Sequence, residues 1–495
     1  MIKYDVFEPT LKQYHEIKDK LVSSHMLLKE KLNGEIKARF VGNGKREIMS
    51  EYDITNSPTI STKTLMTGLA ATNRDGFKIA KADVDAAYLQ SNEMQKELYM
   101  LISRENAKQL LSNPKINPNW KNFTRSDGTL IVKLKKGIYG LKESARLWNE
   151  TLTKVFTNMG YKKCEADECL LTKRDNTGEI NAFIHVDDIL FVYNSDTLYR
   201  STIVLLEMKF GTLKIQKGEK IDYLGMELVK TESGDMIISM SIFINKLLRE
   251  YDISTGMSTP SNDKLYESSG LSVDKTKYKS LVAKVMYLAT KIRYDILFTV
   301  SYLSTKSSNP LESDWNALIR VLQYIYSTKD RQLVFKQCDD INKVNVYVDA
   351  AHCNNIDSLG TTGYIIYLGD KNAGVYARAI KQRLHADASY DAELIAFNEA
   401  TKTVENIILV MKHLGLTPNV IMREDNMPAI NTLVDKKACT TRSKAINNRV
   451  ECTKSRLKRY NIMIEHCKTE DMIADVLTKV LPEAKFVGFR NLMLN

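Results

Sequence analysis

The sequence has 495 residues, of which 43% are hydrophobic and 26% are charged; this composition is that of a globular protein, and the length suits roughly two to four domains. Glycine (22 residues) and proline (9 residues) are scarce, which argues against collagen, propellers and turn-dense sandwiches and leaves a helix-rich α/β or α+β fold. The 71 basic and 60 acidic residues give a formal net charge of +11 at pH 7, which favours nucleic acid or another polyanion as a partner.

The seven cysteines are scattered along the chain and lack the paired spacing of zinc sites, so we expect reduced thiols in a cytosolic or nuclear protein. The first thirty residues are rich in charged side chains, and no apolar run approaches the roughly 18 residues of a membrane span. The sequence therefore predicts neither a secretion signal nor a membrane-spanning segment.

In the first quarter of the chain, a strand-like run that begins at Phe77 ends at Asp83 and is followed by Asp85, two alanines and Tyr88. Asp83 and Asp85 would share one face if the strand continued, so one of them can meet acids from another segment. Further along, Asn-Pro pairs within residues 103–127 predict a loop or an insertion.

Residues 181–193 contain two short apolar runs that meet at Asp187 and Asp188, which predicts a hairpin with the two acids at its turn. Asp-Asp is poor turn chemistry, because two-residue turns need positive φ and favour glycine. Adjacent carboxylates against apolar strands repel each other and lose solvation, and a divalent cation relieves both costs. A solvated turn is the ordinary interpretation of one such pair. With Asp83 as a third carboxylate, however, the set suits two metal ions that assist nucleotidyl transfer.

The middle of the chain predicts a connector over residues 254–276, which are rich in Ser, Thr and Gly, and helices over residues 278–292 and 315–327. A second connecting segment is expected over residues 328–343. The pattern beyond it predicts an α/β domain of about 150 residues. We expect its strands at residues 344–349, 363–368, 374–379, 420–423 and 462–466, and its helices at 389–414 and 427–434, with a further helix before the last strand.

This last third carries four acids near predicted strand ends and helix starts, namely Asp349, Glu393, Asp425 and Asp475. They are separated by about 30–50 residues, so only tertiary folding can bring them together, and their convergence would again demand metal. The alternative is a set of exposed carboxylates on a helix-rich domain.

Five short motifs also follow one another over about 200 residues: Lys37-Ala-Arg39-Phe-Val, Asp83-Val-Asp-Ala-Ala-Tyr88-Leu, Gly137-Ile-Tyr139-Gly-Leu-Lys142, His185-Val-Asp-Asp188 and Tyr223-Leu-Gly-Met226. Together they resemble the reverse transcriptase of Ty/copia-type LTR retrotransposons, with the yeast Ty Pol polyprotein as the nearest likeness. The resemblance continues through residues 278–296. The four C-terminal acids, with Asp425-Asn and Asp475-Val-Leu-Thr-Lys479, resemble the ribonuclease H domain of the same elements.

The resemblance implies a right-hand polymerase of mixed α+β and α/β domains. Fingers and palm would occupy residues 1–240, thumb and connection residues 241–340, and a ribonuclease H domain residues 341–495. The implied function is RNA- and DNA-directed DNA synthesis with ribonuclease H degradation of the copied RNA. A domesticated, catalytically silent nucleic-acid-binding scaffold is the alternative.

In the polymerase, the resemblance assigns two Mg²⁺ ions to Asp83, Asp187 and Asp188, with Mn²⁺ as a substitute. Tyr88 would exclude the ribose 2′-hydroxyl. The remaining implied contacts are those to dNTP from Lys37, Arg39, Tyr139, Gly140 and Lys142, and those of a primer grip at Tyr223, Leu224 and Gly225.

In the ribonuclease H domain, the resemblance assigns two further Mg²⁺ ions to Asp349, Glu393, Asp425 and Asp475. The basic run at residues 454–459 is expected to face duplex phosphates.

Three departures from the family pattern bear on rate and fidelity: His185 stands where tyrosine is usual, and Ala145 and Tyr294 stand where proline is usual. Many ribonucleases H place a histidine in a loop before the last acid, and residues 443–456 lack one; His466, nine residues before Asp475, is expected to be structural.

The implied partners are RNA template, RNA–DNA hybrid, a DNA or tRNA primer and dNTPs, with the element's integrase and capsid protein and a homodimer as further expectations. Protease, integrase and Cys/His-knuckle sequences do not occur, so we expect a piece of a longer polyprotein. The expected location is cytoplasmic, within virus-like particles and away from membranes, with a nuclear stage.

Overall fold

The computed structural model describes residues 1–30, 36–47, 56–337, 340–370, 372–434 and 443–494. Within these ranges the chain forms four β-sheets. The strands are β1 (Phe7–Pro9), β2 (Leu21–Glu30), β3 (Ile36–Gly42), β4 (Lys78–Asp83), β5 (Tyr99–Ile102), β6 (Leu130–Leu134), β7 (Lys162–Lys163), β8 (Leu170–Asp175), β9 (Gly178–His185), β10 (Asp188–Tyr193), β11 (Lys214–Lys217), β12 (Lys220–Tyr223), β13 (Met226–Lys230), β14 (Met236–Ser239), β15 (Leu333–Phe335), β16 (Lys343–Ala351), β17 (Thr361–Leu368), β18 (Gly374–Lys381), β19 (Asn419–Glu424) and β20 (Met463–His466).

The α-helices are α1 (Tyr14–Ile17), α2 (Thr62–Ala71), α3 (Arg104–Leu111), α4 (Ser144–Asn158), α5 (Asp196–Phe210), α6 (Ser241–Glu250), α7 (Lys275–Lys291), α8 (Leu297–Thr305), α9 (Glu312–Ser327), α10 (Ser389–His413), α11 (Met427–Val434), α12 (Lys444–Tyr460) and α13 (Glu483–Met493). Within the described ranges, no helix is both long and apolar enough to cross a membrane.

The N-terminal sheet has the strand order β1-β6-β5-β2-β3 and encloses a small apolar core with Val22, Met100 and Val132 at its centre. Strands β2 and β5 are parallel, and the other pairs are antiparallel. Residues 103–127, predicted to be a loop or an insertion, form α3 and a 3₁₀ helix (Pro118–Phe123) between two strands of this sheet. The loop prediction was therefore wrong for this segment, where Ser103 caps the start of α3.

The central sheet has the order β11-β4-β10-β9-β8-β7. Its strand β10 is completely apolar after Asp188 because helices cover it: Phe191 contacts the rings of Phe156 on α4 and Tyr199 on α5. Helix α2 also packs against this sheet, and a Cβ on Gly68 would collide with the ring of Phe183. This sheet positions the first candidate site.

A third sheet of order β12-β13-β14-β15 joins the helices α6 to α9 to the central sheet. The predicted helices at 278–292 and 315–327 are confirmed as α7 and α9. The predicted break at 328–343 contains β15, whose pairing with β14 the sequence did not indicate. Arg293 and Asp295 form a fully buried ion pair between these helices, and Thr328 and Tyr324 bind the same pair.

The C-terminal sheet has the order β18-β17-β16-β19-β20, with β16, β19 and β20 parallel. The strands and helices predicted for this domain are confirmed within a few residues at each end. Helix α10 packs on this sheet, and α2 contacts both α10 and β18. The central, third and C-terminal sheets therefore share one continuous apolar core. The predicted mixed multidomain architecture is confirmed.

Five cysteines carry free thiols, as predicted, while Cys338 and Cys439 lie outside the described residues.

Candidate active sites

The hairpin formed by β9 and β10 turns at Val186 and Asp187, because strand pairing places His185 opposite Asp188. Val186 has a φ of 58°, in the left-handed region that a β-branched residue rarely adopts. The indole N–H of Trp148 donates a hydrogen bond of 2.7 Å to the Val186 carbonyl oxygen and holds this conformation. The predicted turn at Asp187-Asp188 is therefore wrong by one residue, since a tertiary hydrogen bond offsets the strain at Val186.

Asp83 and Asp188 lie opposite each other on the paired strands β4 and β10. Burial raises the pKa of Asp83, and the negative charges of Asp187 and Asp188 raise it further. Asp85 lies beyond the end of β4 and forms an ion pair with Lys214. Asp83 is thus the acid that meets the hairpin, and the three carboxylates predicted for one site come together.

Two lysines partly balance these acids. The Lys81 ammonium lies 2.8 Å from a carboxylate oxygen of Asp188, and the Lys214 ammonium lies 3.9 Å from one of Asp83. Carboxylate oxygens are the ligands that Mg²⁺ prefers in proteins, so the donor set fits this ion. A bound cation would compete with Lys81 for Asp188.

A cleft of about 410 Å³ opens beside the acids. Lys37 and Arg39 from β3 line it together with Tyr139 and two of the three acids. The Arg39 guanidinium lies over the Tyr139 ring at 5.2 Å, and Tyr139 meets Tyr88 edge to face with ring centroids 5.1 Å apart. Burial raises the pKa of Tyr88, and the negative charge of Asp187 raises it further because the ring lies near this acid. Four of the predicted nucleotide-binding residues are thus neighbours at one cleft.

Gly140 and Lys142 connect this cleft to the N-terminal sheet. Gly140 has a φ of 91°, and a Cβ there would collide with the carbonyl oxygen of Gly42 on β3. The Lys142 ammonium donates to the carbonyl oxygen of Glu47 at 3.0 Å, and its backbone N–H donates to the Glu47 carboxylate at 3.2 Å. Lys142 therefore fixes the loop, while Lys37 and Arg39 present their charges to the cleft.

The predicted primer-grip residues lie at the turn between β12 and β13. Tyr223 is fully buried, and its hydroxyl donates to the carbonyl oxygen of Phe183 on β9 at 2.9 Å. Leu224 and Gly225 have φ values of 50° and 74°, so they form the two-residue turn. The Tyr287 hydroxyl on α7 donates to the Leu224 carbonyl oxygen at 2.7 Å. Tyr223 thus links this hairpin to the hairpin of β9 and β10, and the turn itself is the part that can approach a ligand.

His185, which departs from the family pattern, has a lowered pKa because it is buried and because Lys291 lies nearby. Burial thus favours the neutral imidazole, while the charges of Asp188 and Asp187 oppose this effect. Lys291 itself donates to the hydroxyl of Thr62 at 2.9 Å.

A second acidic cluster lies at one end of the C-terminal sheet. Asp349 near the end of β16, Glu393 on α10 and Asp425 just after β19 offer carboxylate oxygens within 4.8 Å of one another. In the described part of the chain this is the one trio that approaches so closely. Burial and the charges of Asp475 and Asp425 raise the pKa of Asp349 to about 6, despite the opposing effect of Lys479.

Glu393 is buried and keeps one carboxylate oxygen, Oε2, without a hydrogen-bond partner in the described structure. Burial raises its pKa well above the ordinary value, and the nearby charges of Glu424 and Asp349 add to the shift. Such carboxylates are stable in a folded chain only if a proton or a metal ion neutralises them. The trio therefore fits a divalent cation.

Asp475, the fourth predicted acid, lies beside this trio in a 3₁₀ helix (Ile473–Leu477). Lys479 and Lys485 hold its two carboxylate oxygens at 2.6 and 2.8 Å. The Lys479 ammonium is also 3.8 Å from Asp349, and the Thr478 hydroxyl donates to Asp349. Asp475 is thus adjacent to the trio. Lys479 belongs to the motif that the sequence analysis quoted, whereas Lys485 was not identified from the sequence.

Glu424 is a fifth acid that sequence reasoning missed. It is completely buried, and one of its oxygens, Oε1, accepts the Asn426 N–H at 3.2 Å while Oε2 has no partner in the described structure. The signal was available in the alternation of β19, where Val420, Met422 and Glu424 share one face. The negative charge of Glu424 acts on Glu393, so the two carboxylates lie close together.

Most of the basic run at residues 454–459 is paired within the protein. Arg456 and Arg459 lie 3.1 and 3.9 Å from Glu405 on α10, and Lys454 lies 3.7 Å from Glu451. Lys458 is exposed on the outer side of α12.

The buried acids predict how stability depends on pH and metal. Their folded pKa values lie above the unfolded values of about 4, so the folded state binds more protons and metal-free stability should fall as pH rises from about 4 through 6 and above. Mg²⁺ at 100 times its Kd should restore about 2.7 kcal/mol at pH 7.5 and less at pH 5. Scanning calorimetry with and without Mg²⁺ measures this.

The double variant Asp349→Asn with Glu393→Gln is the control. Its stability should depend less on pH, and Mg²⁺ should stabilise it less, with the remaining Mg²⁺ effect coming from the Asp83, Asp187 and Asp188 site. An equal response in the variant and the unmodified chain would contradict the assignment of these acids as the cause.

The chain is similar to a known protein family over more than half of its length. A family model described as reverse transcriptase (RNA-dependent DNA polymerase) matches residues 4–262. The Retrovirus-related Pol polyprotein from transposon RE2 of Arabidopsis thaliana is 28% identical over 464 residues, which cover 92% of this chain. The Transposon TyH3 Gag-Pol polyprotein of Saccharomyces cerevisiae is 23% identical over 502 residues, which cover 96% of this chain. The chain spans 30% and 27% of the length of these two relatives.

Among solved structures, a foamy viral protease-reverse transcriptase in complex with double-stranded DNA aligns with 90% of this chain and 65% of its own. Its TM-score is 0.46 and its sequence identity is 13%. The family match itself covers more than half of the chain and includes the Asp83, Asp187 and Asp188 site. The chain is therefore a member of the reverse transcriptase family, as the order of its motifs predicted, with Pol polyproteins of Ty/copia-type retrotransposons among its relatives.

Proposed function

We propose that this chain is an RNA- and DNA-directed DNA polymerase with ribonuclease H activity, which copies retrotransposon RNA into DNA. The observation that carries the proposal is the meeting of Asp83, Asp187 and Asp188 beside a cleft that Lys37 and Arg39 line. Three carboxylates next to two cations and two aromatic rings suit a metal-bound nucleoside triphosphate better than a neutral ligand.

In the polymerase site, Asp83, Asp187 and Asp188 would hold two Mg²⁺ ions. When bound, such ions activate the attacking oxygen and neutralise the charge that develops on the phosphate. Arg39 and Lys37 would bind the triphosphate oxygens, since a guanidinium fork matches phosphate geometry. The Tyr139 ring under Arg39 fixes the guanidinium, and fewer conformations then need to be lost when the triphosphate binds.

In the ribonuclease H site, Asp349, Glu393, Asp425 and Asp475 would hold two more Mg²⁺ ions, with Mn²⁺ as a substitute at both sites. Lys479 and Lys485 neutralise Asp475, and Thr478 orients Asp349 by donating its hydroxyl proton. The substrate would be the RNA strand of an RNA–DNA hybrid.

We further propose that residues 1–240 are fingers and palm, residues 241–340 thumb and connection, and residues 341–495 the ribonuclease H domain. The N-terminal and central sheets then lie in fingers and palm. The first boundary coincides with the start of α6, and the second falls between β15 and β16.

The proposed substrates and partners are an RNA template, an RNA–DNA hybrid, a DNA or tRNA primer and dNTPs. We also propose the element's integrase and capsid protein as partners, a homodimer, and a location in cytoplasmic virus-like particles with a nuclear stage, because the relatives are retrotransposon polyproteins. The two polyprotein relatives are longer than this chain, which matches 30% and 27% of their length.

A catalytically silent nucleic-acid-binding scaffold is the alternative to the enzyme. Such a scaffold would not need the acids that bind metal ions. All seven predicted acids are present, and the buried ones destabilise the metal-free chain. A scaffold would gain nothing from that cost.

The test is primer extension on poly(rA) primed with oligo(dT), with Mg²⁺ and dTTP. The proposal predicts a ladder of extended primers that EDTA abolishes. Absence of extension with both Mg²⁺ and Mn²⁺, while the chain still binds the primed template, would favour the silent scaffold.

Tyr88 provides a test of the nucleotide site. Tyr88→Val should raise incorporation of ribonucleotides relative to deoxyribonucleotides by about 10-fold or more, equivalent to about 1.4 kcal/mol, because the ring no longer blocks the 2′-hydroxyl. Single-nucleotide incorporation with dTTP and UTP measures the ratio. Tyr88→Phe is the matched control and should keep the discrimination, since it keeps the ring. An unchanged ratio in Tyr88→Val would exclude Tyr88 as the sugar gate.

A further inference from the structure

Gln382 is a buried glutamine that lies outside both acidic clusters. It follows β18 directly and is 3% exposed. Its backbone N–H donates to the carbonyl oxygen of Gly360 at 2.8 Å, which fixes Gln382 beside the start of β17. A Cβ on Gly360 would lie 2.7 Å from the side-chain amide oxygen of Gln382. The glycine therefore leaves room for this amide inside the domain.

The side-chain amide of Gln382 joins β17 to α10. Its Nε2 donates to the hydroxyl oxygen of Thr362 at 3.1 Å and to the carbonyl oxygen of Ala392 at 2.9 Å. Thr362 and Ala392 are both completely buried. A buried amide with two hydrogen bonds holds its neighbours in one arrangement, because breaking either bond leaves a polar group unpaired.

Each end of this bridge lies one residue away from a carboxylate of the C-terminal trio. Thr362 lies opposite the residue that follows Asp349 on β16. Ala392 precedes Glu393 in the first turn of α10. Gln382 therefore connects the strand pair that carries Asp349 to the helical turn that carries Glu393.

The trio needs such a connection because its acids repel each other. Burial raises the pKa of Glu393, and the negative charges of Glu424 and Asp349 raise it further. In the metal-free chain this repulsion acts to separate the first turn of α10 from β16. Ala388 precedes α10 and provides no capping hydrogen bond from its side chain. The position of this turn therefore depends on contacts with other elements, such as the bridge from Gln382.

We propose that Gln382 is a positioning residue of the ribonuclease H site, which sets the spacing of Asp349 and Glu393 for a divalent cation. This inference rests on the proposed ribonuclease H function. Gln382 does not act on either carboxylate directly, since Thr362 and Ala392 use both of its side-chain N–H groups. Its effect passes through the strand and the helix, so it should appear in the affinity of the site for Mg²⁺.

The experiment compares the unmodified chain with Gln382→Met, which keeps the length of the side chain and removes both hydrogen bonds. Titration calorimetry measures Mg²⁺ binding in chains that also carry Asp187→Asn, which weakens the other metal site. Without Asp187→Asn, the Mg²⁺ concentration that gives half-maximal cleavage of an RNA–DNA hybrid is measured, together with the rate of primer extension. Thermal unfolding in EDTA reports stability.

Asn398→Leu is the matched control. Asn398 lies on α10, is 2% exposed and, like Gln382, donates to one carbonyl oxygen and one threonine hydroxyl. These acceptors belong to Arg449 at 3.0 Å and Thr453 at 3.2 Å, both on α12. The bonds of Asn398 thus join α10 to another helix, and not to the strands that carry the acids. Both variants should lose stability in EDTA.

We expect Gln382→Met to bind Mg²⁺ about 10-fold or more weakly, since outer partners of metal ligands contribute roughly 10–100-fold to metal affinity. The Mg²⁺ concentration for half-maximal cleavage should rise by a similar factor. Excess Mg²⁺ should restore most of the cleavage rate, and primer extension should not change. Asn398→Leu should bind Mg²⁺ within about 2-fold of the unmodified chain, because its bonds are independent of the acids.

Thr362→Val keeps the shape of this side chain and removes one acceptor of the bridge, so it carries the same test if Gln382→Met does not fold. Its Mg²⁺ affinity should fall by about 3-fold, as expected for one hydrogen bond. An unchanged Mg²⁺ affinity in the bridge variant that folds, or an equal loss in Asn398→Leu, would overturn the proposal. If the unmodified chain neither binds Mg²⁺ at this cluster nor cuts the hybrid, the proposed ribonuclease H function itself is refuted.

Discussion

Asp187→Asn is expected to abolish primer extension while cleavage of an RNA–DNA hybrid continues. The substitution keeps the size of the side chain and the main-chain turn, which the Trp148 hydrogen bond to Val186 holds independently of the carboxylate. It removes one of three charges that a metal ion needs at this site. Removal of a residue that only hydrogen-bonds a metal ligand typically lowers activity or metal affinity 10–100-fold. Removal of the ligand itself should lower the rate of primer extension by more than this.

Hybrid cleavage should persist in this variant because the second cluster lies on a different sheet and includes none of the same residues. The control is Asp75→Asn, which neutralises an exposed acid in the turn before β4. Primer extension by that control should match the unmodified chain. Extension by Asp187→Asn at near the unmodified rate would remove Asp187 from the polymerase site.

Glu393→Gln is expected to produce the reverse pattern, with hybrid cleavage lost and primer extension intact. Glu393 contributes to the one close trio of carboxylates in the described ranges, and the remaining acids cannot hold a metal ion in place without it. The substitution also removes a buried charge that Glu424 and Asp349 repel, so the metal-free chain should be no less stable. The loss should exceed about 100-fold.

The assay follows a 5′-labelled RNA strand annealed to DNA, with Mg²⁺ in excess. Glu399→Gln, nearly two turns further along α10, is the matched control because Glu399 pairs with Lys402 at the helix surface. It should cut the hybrid normally. If Glu393→Gln cuts at the same rate as this control, Glu393 is not part of the ribonuclease H site.

Much of both sites could be predicted because acids in apolar strands are costly without a ligand. Asp83, Asp188 and Asp349 stand out in the sequence on this ground, and strand alternation placed them at strand ends. Asp85 could not be separated from Asp83 in this way. Which of the two acids meets the β9–β10 hairpin depends on where β4 ends and on Lys214. This lysine contacts Asp85 from a segment more than a hundred residues away.

The turn between β9 and β10 could not be predicted from local preferences. Val186 is a poor residue for positive φ, and the hydrogen bond that holds it comes from Trp148 on another helix. The same limit applies to β15, which is too short to be recognised until it pairs with β14. In both places, contacts with residues distant in the sequence determine the local structure.

The contact between α2 and α10 also lay beyond sequence reasoning. The helix α10 was predicted, but α2 was not, and no pattern indicates that α2 packs on the central sheet and on the C-terminal domain together. Glu424 shows the opposite case. Its place on the buried face of β19 was visible in the alternation, but the resemblance to known ribonucleases H drew attention to Asp425 alone.

The most direct test of the account follows both strands in one reaction. A heteropolymeric RNA template carries one label at its 5′ end, and the DNA primer carries another. With Mg²⁺ and all four dNTPs, the proposed function predicts that the primer lengthens and that the RNA is then cut within the new hybrid. EDTA should stop both reactions. A primer that never lengthens, on a template that the chain binds, would contradict it.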